Sequence, residues 1–183
     1  MDRNGNTKIE YNAQNKATRI ITDKSSVSFY YDMNGNRFQK SQKFTDTYYI
    51  GKGYEYTKDG NGNINHKYLI YANGKVVTVH NEATQRDVNT GEAFTTHTTQ
   101  YLHYDSLGSV DAITNQQGSV VERMAYKPFG EKLDLVKLQE SITNRGYTGH
   151  EHIEDTPFIH SEMKKKRRDS PFFRRTHDSM TQR

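Results

Sequence analysis

Cysteine and tryptophan are absent from the 183 residues, and proline occurs only three times. Without cysteine there are no disulfides and no thiolate metal sites, so the redox compartment leaves no trace in the chain. No stretch approaches the ~18 apolar residues of a membrane-spanning helix. Met1-Asp2-Arg3-Asn4-Gly5-Asn6 lacks an apolar h-region, so no signal peptide is expected here, and this stretch by itself is expected in the cytoplasm. Apolar residues make up only 32% and mean hydropathy is -1.04, too lean for a thick globular core. What the chain does hold is thirteen tyrosines and eight phenylalanines. A Tyr-rich, Leu-poor chain suits amphipathic strands that bury one face. Regular tyrosines and few prolines argue against long disorder over residues 1–155.

The net charge of +4 is unevenly placed. Ser161–Arg183 holds eight Lys/Arg against three Asp/Glu, which leaves the rest of the chain at −1. The body is neutral and the basicity belongs to the tail. Lys164-Lys165-Lys166-Arg167-Arg168 reads first as a solvated charge run. Its alternative is weak, charge-only binding of nucleic acid or anionic lipid.

A tyrosine-led turn motif recurs along the body. Tyr31-Asp32-Met33-Asn34-Gly35-Asn36-Arg37 is the cleanest copy, and Tyr104-Asp105-Ser106-Leu107-Gly108-Ser109 a later variant. Tyr11-Asn12-Ala13-Gln14-Asn15-Lys16 and Tyr71-Ala72-Asn73-Gly74-Lys75 keep the tyrosine and turn residues without the aspartate. Such self-similarity marks a repeat architecture. Asp32 can accept backbone N–H bonds within its turn, Gly35 supplies positive φ, and Tyr31 packs on neighbouring strands.

Strand-like runs alternate with Gly/Asn/Asp turns: Thr7–Tyr11, Ala17–Thr22, Ser26–Tyr31, Arg37–Lys43, Thr45–Ile50, Ile64–Tyr71, Lys75–Asn81, Thr95–Tyr104, Ser109–Thr114 and Ser119–Tyr126. Ala72-Asn73-Gly74 is a strong hairpin signal. Gly51-Lys52-Gly53 and Asp59-Gly60-Asn61-Gly62-Asn63 read as turns, and the spacing within Lys132–Ser141 allows a short helix or a loop. No helix follows these glycines to bind a phosphate at its N-terminus.

Three further segments carry a family resemblance. Tyr101-Leu102-His103-Tyr104-Asp105-Ser106-Leu107-Gly108-Ser109-Val110 resembles the "YxHxDxLGS" signature of the Rhs-repeat-associated core. Gly118-Ser119-Val120-Val121-Glu122-Arg123 followed by Tyr126-Lys127-Pro128-Phe129-Gly130-Glu131 resembles its "GxVVExxxYxPFGE" continuation, and Arg145-Gly146-Tyr147-Thr148-Gly149-His150-Glu151 its "xxYTGxE" segment. Upstream, the tyrosine motifs resemble the YD repeats of the same proteins, among them the C components of Tc toxins and the YD shell of teneurins. The resemblance spans residues 1–155. It implies an all-β fold: an antiparallel β-hairpin ribbon forming part of a spiralling, hollow Rhs-type shell around a toxin or effector. The corresponding division is a YD-repeat sheet over 1–100, an incomplete Rhs core over 101–155, and a divergent, disordered basic tail over 156–183. Structural motif residues under the resemblance are Tyr31, Asp32, Gly35, Asn36, Arg37, His103, Asp105, Leu107, Gly108, Ser109, Tyr126, Pro128, Phe129, Gly130, Tyr147, Thr148, Gly149 and Glu151.

After Glu154-Asp155-Thr156 the chain departs from the family. No "GRF" or "DPxG" segment follows, so the family's self-cleaving aspartyl protease is not carried over. The sequence thus reads as a non-enzymatic, C-terminally truncated shell fragment without a cofactor. Its alternatives are the N-terminal part of a self-processing core and a carbohydrate-binding surface module. Expected partners are the rest of such a shell or a C-terminal toxin, in cis or in trans, together with further copies of the chain at open sheet edges. Secretion or surface display is expected for a full-length protein. His150, His152 and Asp155 form a weak metal motif, since residues two apart on a strand share a face. Acid pairs such as Asp105 with Asp111, or Glu122 with Glu131, lack a spacing that places both at one site.

Overall fold

The structure is a computed structural model that describes residues 7–87, 89–127, 131–153 and 159–160. Twelve antiparallel strands follow one another in sequence order: β1 Lys8–Tyr11, β2 Ala17–Ile21, β3 Ser26–Tyr31, β4 Arg37–Gln42, β5 Thr45–Ile50, β6 Tyr54–Asp59, β7 Ile64–Ala72, β8 Lys75–Arg86, β9 Ala93–Tyr104, β10 Val110–Asn115, β11 Val120–Tyr126 and β12 Lys132–Lys137. Each strand pairs with its chain neighbours, giving an open ribbon whose order runs from β1 to β12 without a crossover. The expected all-β hairpin ribbon is therefore present. A small separate pair, β13 Glu151–His152 with β14 Ile159–His160, follows.

Three elements differ from the sequence reading. β6 was missed, because Glu55, Lys58 and Asp59 dilute its apolar alternation; pairing with β5 and β7 on both sides decides it. Lys132–Lys137 is neither helix nor loop but a strand laid along β11. β8 continues past Asn81 to Arg86, held by its register with β9 from Thr78↔Tyr101 to Arg86↔Ala93. The boundary between residues 100 and 101 falls inside β9, which runs unbroken through it.

The turns obey the motif chemistry. The Asp32 carboxylate accepts the Asn36 N–H at 2.7 Å, and Gly35 takes φ +78°. The same side-chain-to-backbone bond to the residue four positions on recurs at Asn12, Asp59, Asp105 and Asn115. Within its own turn the Asp32 carboxyl is held below its ordinary range, the Asn36 backbone N–H being the main cause. At β7–β8, Asn73 and Gly74 both adopt positive φ, the pair of values that a two-residue hairpin turn needs.

The motif tyrosines link successive hairpins along one rim. Tyr31 donates its hydroxyl to the Ala17 carbonyl (2.8 Å), Tyr71 to Lys52 (2.9 Å), Tyr104 to Val76 (2.6 Å) and Tyr126 to Val110 (2.7 Å). Each bond runs back towards the preceding turn on that rim. Lysines complete the link: Lys16 lies over the Tyr31 ring and bonds the Gly35 carbonyl, and Lys75 lies 5.0 Å from the Tyr104 ring centroid.

The sheet buries one face in two apolar clusters. Leu69, Val76, Val79, Leu102, Val110, Ile113, Val121 and Met124 form one, and Ile20, Val27, Phe29 and Ile153 the other. The chain after β12 crosses this covered face as a strap. Ile142 packs on the first cluster and Ile153 enters the second. Gln100, 1% exposed, fastens the strap by donating to the Glu140 carbonyl at 3.0 Å and accepting the Ile142 N–H at 2.9 Å.

Tyr104→Phe removes the rim bond to the Val76 carbonyl, so it should destabilise the chain by about 1 kcal/mol. Tyr101→Phe, on the exposed face of the same strand, should change stability by less than about 0.5 kcal/mol. Urea unfolding of the two variants beside the parent chain measures both.

Candidate functional site

Between the two apolar clusters the covered face is polar, and the strap delivers a carboxylate into the gap. Asn144–His152 folds as a tight hairpin: His152 N–H bonds the Asn144 carbonyl (2.8 Å), Gly146 N–H bonds the His150 carbonyl (2.9 Å), and Tyr147–Gly149 forms a single 3-10 turn. Thr148 and Gly149 both take positive φ. This turn docks on the Asp105–Ser109 turn, where the buried Ser109 hydroxyl accepts the Thr148 N–H at 3.1 Å and the Gly146 carbonyl accepts the Val110 N–H at 3.1 Å. Tyr126 packs against Tyr147 with ring centroids 5.7 Å apart. Three separate sequence motifs thus converge on one rim.

Docking there aims Glu151 at strands β4 and β5. Its carboxylate pairs with Arg37, accepts Lys40 Nζ at 2.7 Å and Asn144 Nδ2 at 3.1 Å, and receives the Tyr49 hydroxyl at 3.2 Å. The side chains of Arg37, Lys40 and Glu151 are only 9%, 11% and 10% exposed. The Arg37 guanidinium also stacks over the Tyr49 ring, 4.2 Å from its centroid. A second layer of charge surrounds the first: Glu55 lies 3.9 Å from Lys67 and 3.7 Å from Arg145.

Burial opposes ionisation of Glu151, yet the attraction of Lys40 and Arg37 outweighs it and holds the carboxyl far below the usual range. Burial, with the Glu151 charge beside it, pushes the Tyr49 phenol well up. Desolvation would weaken the Arg37 cation, but Glu151 more than offsets it. A carboxylate held this way takes up no proton near neutral pH. The geometry serves anchoring and charge neutralisation.

Two open grooves flank the lock. One, of about 310 Å³, has Lys16, Tyr31, Arg37, Lys52, Glu55 and Arg145 among its lining residues. The other, of about 410 Å³, is lined on the far side of the strap by residues including Lys40, Thr47, Thr57, Asn65, Lys67 and Asn81.

The sequence-identified residues divide by place. Tyr31, Asp32, Gly35, Asn36, Asp105, Gly108 and Ser109 build rim turns; Tyr147, Thr148 and Gly149 build the docked turn; Arg37 and Glu151 meet in the lock. Leu107 is 77% exposed at a turn tip, and His103 faces the opposite side of the sheet, bonded to Thr114 at 2.9 Å. Pro128, Phe129, Gly130, Asp155 and the basic tail lie outside the described residues. The structure does not join His150 to His152. His150 is exposed, whereas His152 stacks on Tyr126 and its Nε2 already accepts the Tyr147 N–H at 3.2 Å. Burial, followed by the nearby Lys132 cation, pushes the His152 imidazole down.

Lys40, Tyr49 and Asn144 belong to none of the sequence motifs, and Arg145 stands only at a variable position of one. Counting register outward from the Asp32 turn would set Gln39 opposite Phe29; a bulge at Tyr30/Tyr31 shifts the pairing by one and puts Lys40 there instead. A lysine at an apolar-facing strand position needs a partner.

Glu151→Gln leaves Arg37 and Lys40 buried without a counter-charge and should cost about 3–5 kcal/mol in urea unfolding at neutral pH. The pH dependence carries a sign. The folded-state pKa of Glu151 is depressed, so its contribution is present above the unfolded-state value of about 4.3 and is lost as pH falls below it. The difference in stability between the parent chain and Glu151→Gln should therefore shrink steadily in acid, and a pH series of melts reads it directly.

No family profile and no curated protein matches the chain. Solved structures do. A crystal structure of TcdB2-TccC3-TEV superposes with TM-score 0.63 over 85% of this chain at 14% identity, and one of TcdB2-TccC3 with TM-score 0.61 over 86% at 12%. The Photorhabdus luminescens Tc holotoxin pore superposes with TM-score 0.62 over 86% at 14%. The chain spans 8% of the length of each of these chains. At such identity the likeness establishes the fold: an antiparallel hairpin ribbon of the kind found within those Tc toxin assemblies.

Proposed function

We propose that the chain is a non-enzymatic wall segment of an Rhs-type shell, its role being to enclose or present a toxin or effector. The observation that carries this reading is the uncrossed twelve-strand ribbon, with Glu151 locking a strap across its covered face. A ribbon of this topology extends by adding hairpins at either end, which is what a wall needs. Among the described residues no strand pairs with the outer edge of β1 or β12. The superposition on Tc toxin chains supports the reading at the level of fold. The charge lock, the rim bonds and the polar grooves suit a scaffold that must hold its curvature. The finer parts of the proposal are the enclosed toxin and a secreted parent protein whose remaining shell continues this sheet.

A second reading rests on the opposite, open face. There Tyr48, Tyr56, Tyr54 and Tyr68 form rows with His66 and His80, with centroid spacings of 5.3–6.1 Å. Such rows could stack on sugar rings. Their rings already pack on one another, which favours the scaffold reading.

Unpaired edges make association the expected behaviour of the chain by itself. Size-exclusion chromatography with light scattering should show concentration-dependent oligomers. A sharp monomer peak with a cooperative melt would contradict a wall segment. Cryo-electron microscopy of the chain joined to the sequence encoded beside it should show β1 or β12 continued by a further strand in a closed layer. Edges left bare in that larger protein would overturn the proposal, and saturable glycan-array binding lost on Tyr68→Ala would favour the sugar reading.

A further inference from the structure

The open face carries a cluster that the Glu151 site does not use. Strand register places Glu82 on β8 directly opposite His97 on β9, and His80 opposite Thr99. Residues 80 and 82 are two apart on one strand, so both project from the same face, and His97 projects beside them. Donor atoms of His80, Glu82 and His97 all lie within 4.8 Å of one another. His97 Nδ1 is 3.4 Å from the Glu82 carboxylate, and the His80 and His97 rings lie nearly parallel, 20° apart with centroids at 6.0 Å. Nδ1 of His80 is held by the Thr99 hydroxyl at 2.8 Å, which orients the ring and leaves Nε2 available. The Tyr68 hydroxyl reaches Glu82 at 3.5 Å on the other side.

We propose that His80, Glu82 and His97 form a site for a divalent transition metal of the zinc class, with its fourth position open to solvent. Two imidazole nitrogens and one carboxylate oxygen are a donor set suited to zinc, and nitrogen donors disfavour calcium and magnesium, which take oxygen. A tetrahedral ion with bonds of ~2.0–2.1 Å needs donors about 3.3 Å apart. Side-chain rotation closes that gap, because His97 and Glu82 are 57% and 36% exposed and free to turn. An ion pair between Glu82 and His97 would account for those two residues alone; it leaves unexplained the His80 ring, stacked beside them and oriented by Thr99. The ion would clip β8 to β9, the two longest strands, on the stretch leading to their distal turn.

Isothermal titration of the full chain, stripped with chelator, against zinc chloride tests the site. One saturable equivalent is expected, together with a rise in melting temperature, and magnesium chloride should give neither. His97→Ala and His80→Ala should each weaken zinc binding by at least about tenfold, since even outer-shell changes cost that much. His150→Ala and His103→Ala should leave it unchanged. His97 is exposed, so its variant should keep the parent far-UV circular dichroism and report on binding alone. Absence of saturable zinc binding, or undiminished affinity in a folded His97→Ala, would overturn the assignment.

Discussion

A carboxylate can be buried on a thin sheet only where cations reach it, and the covered face of this ribbon is arranged around that requirement. Glu151 meets Arg37 and Lys40, residues 114 and 111 positions earlier. Without Glu151 the two cations would sit desolvated between apolar clusters. Without them the strap would carry an unpaired buried charge. An apolar trio of the same volume could be equally stable. What the ionic version adds is position, because a carboxylate shared among Arg37, Lys40, Tyr49 and Asn144 fits in one place only. Ile142 and Ile153 then fall into their clusters on either side.

The rim works by accumulation. Each tyrosine–carbonyl bond contributes about 1 kcal/mol, and a ribbon whose hairpins touch only their neighbours sums such terms along its length. This explains why the motif pairs a tyrosine with a turn. The side-chain carboxylate or amide closes the turn from within, while the tyrosine ties it to the hairpin before it. Lys16 and Lys75 add a cation over the tyrosine ring at two of these joints. At Gly108, φ is +85°, a left-handed backbone conformation that favours glycine.

The two faces have different chemistry. On the covered face, among the described residues, Glu122 is matched to Lys132 and the half-buried Glu55 to Lys67 and Arg145. The open face is aromatic and imidazole-rich, its side chains packed across strands in register. Alternation along the strands supplies both surfaces from one layer.

Much of this was legible in the sequence because it is local. The Asp32 and Asp105 turns, the Asn73-Gly74 hairpin and most strand limits follow from residues within about ten positions of one another. β6 and the far half of β8 were hidden because their residues are polar; strand pairing rather than alternation makes them strands. β12 showed helix-compatible spacing, and the free edge of β11 overrode it. The sequence by itself determined a ribbon of hairpins with tyrosine-led turns, since period-two patterning and turn chemistry act over short range. Only the tertiary structure decided that Glu151 is a buried anchor and that His80, Glu82 and His97 share one point. Strand register and the path of the strap set those meetings, and both depend on pairing across the whole sheet.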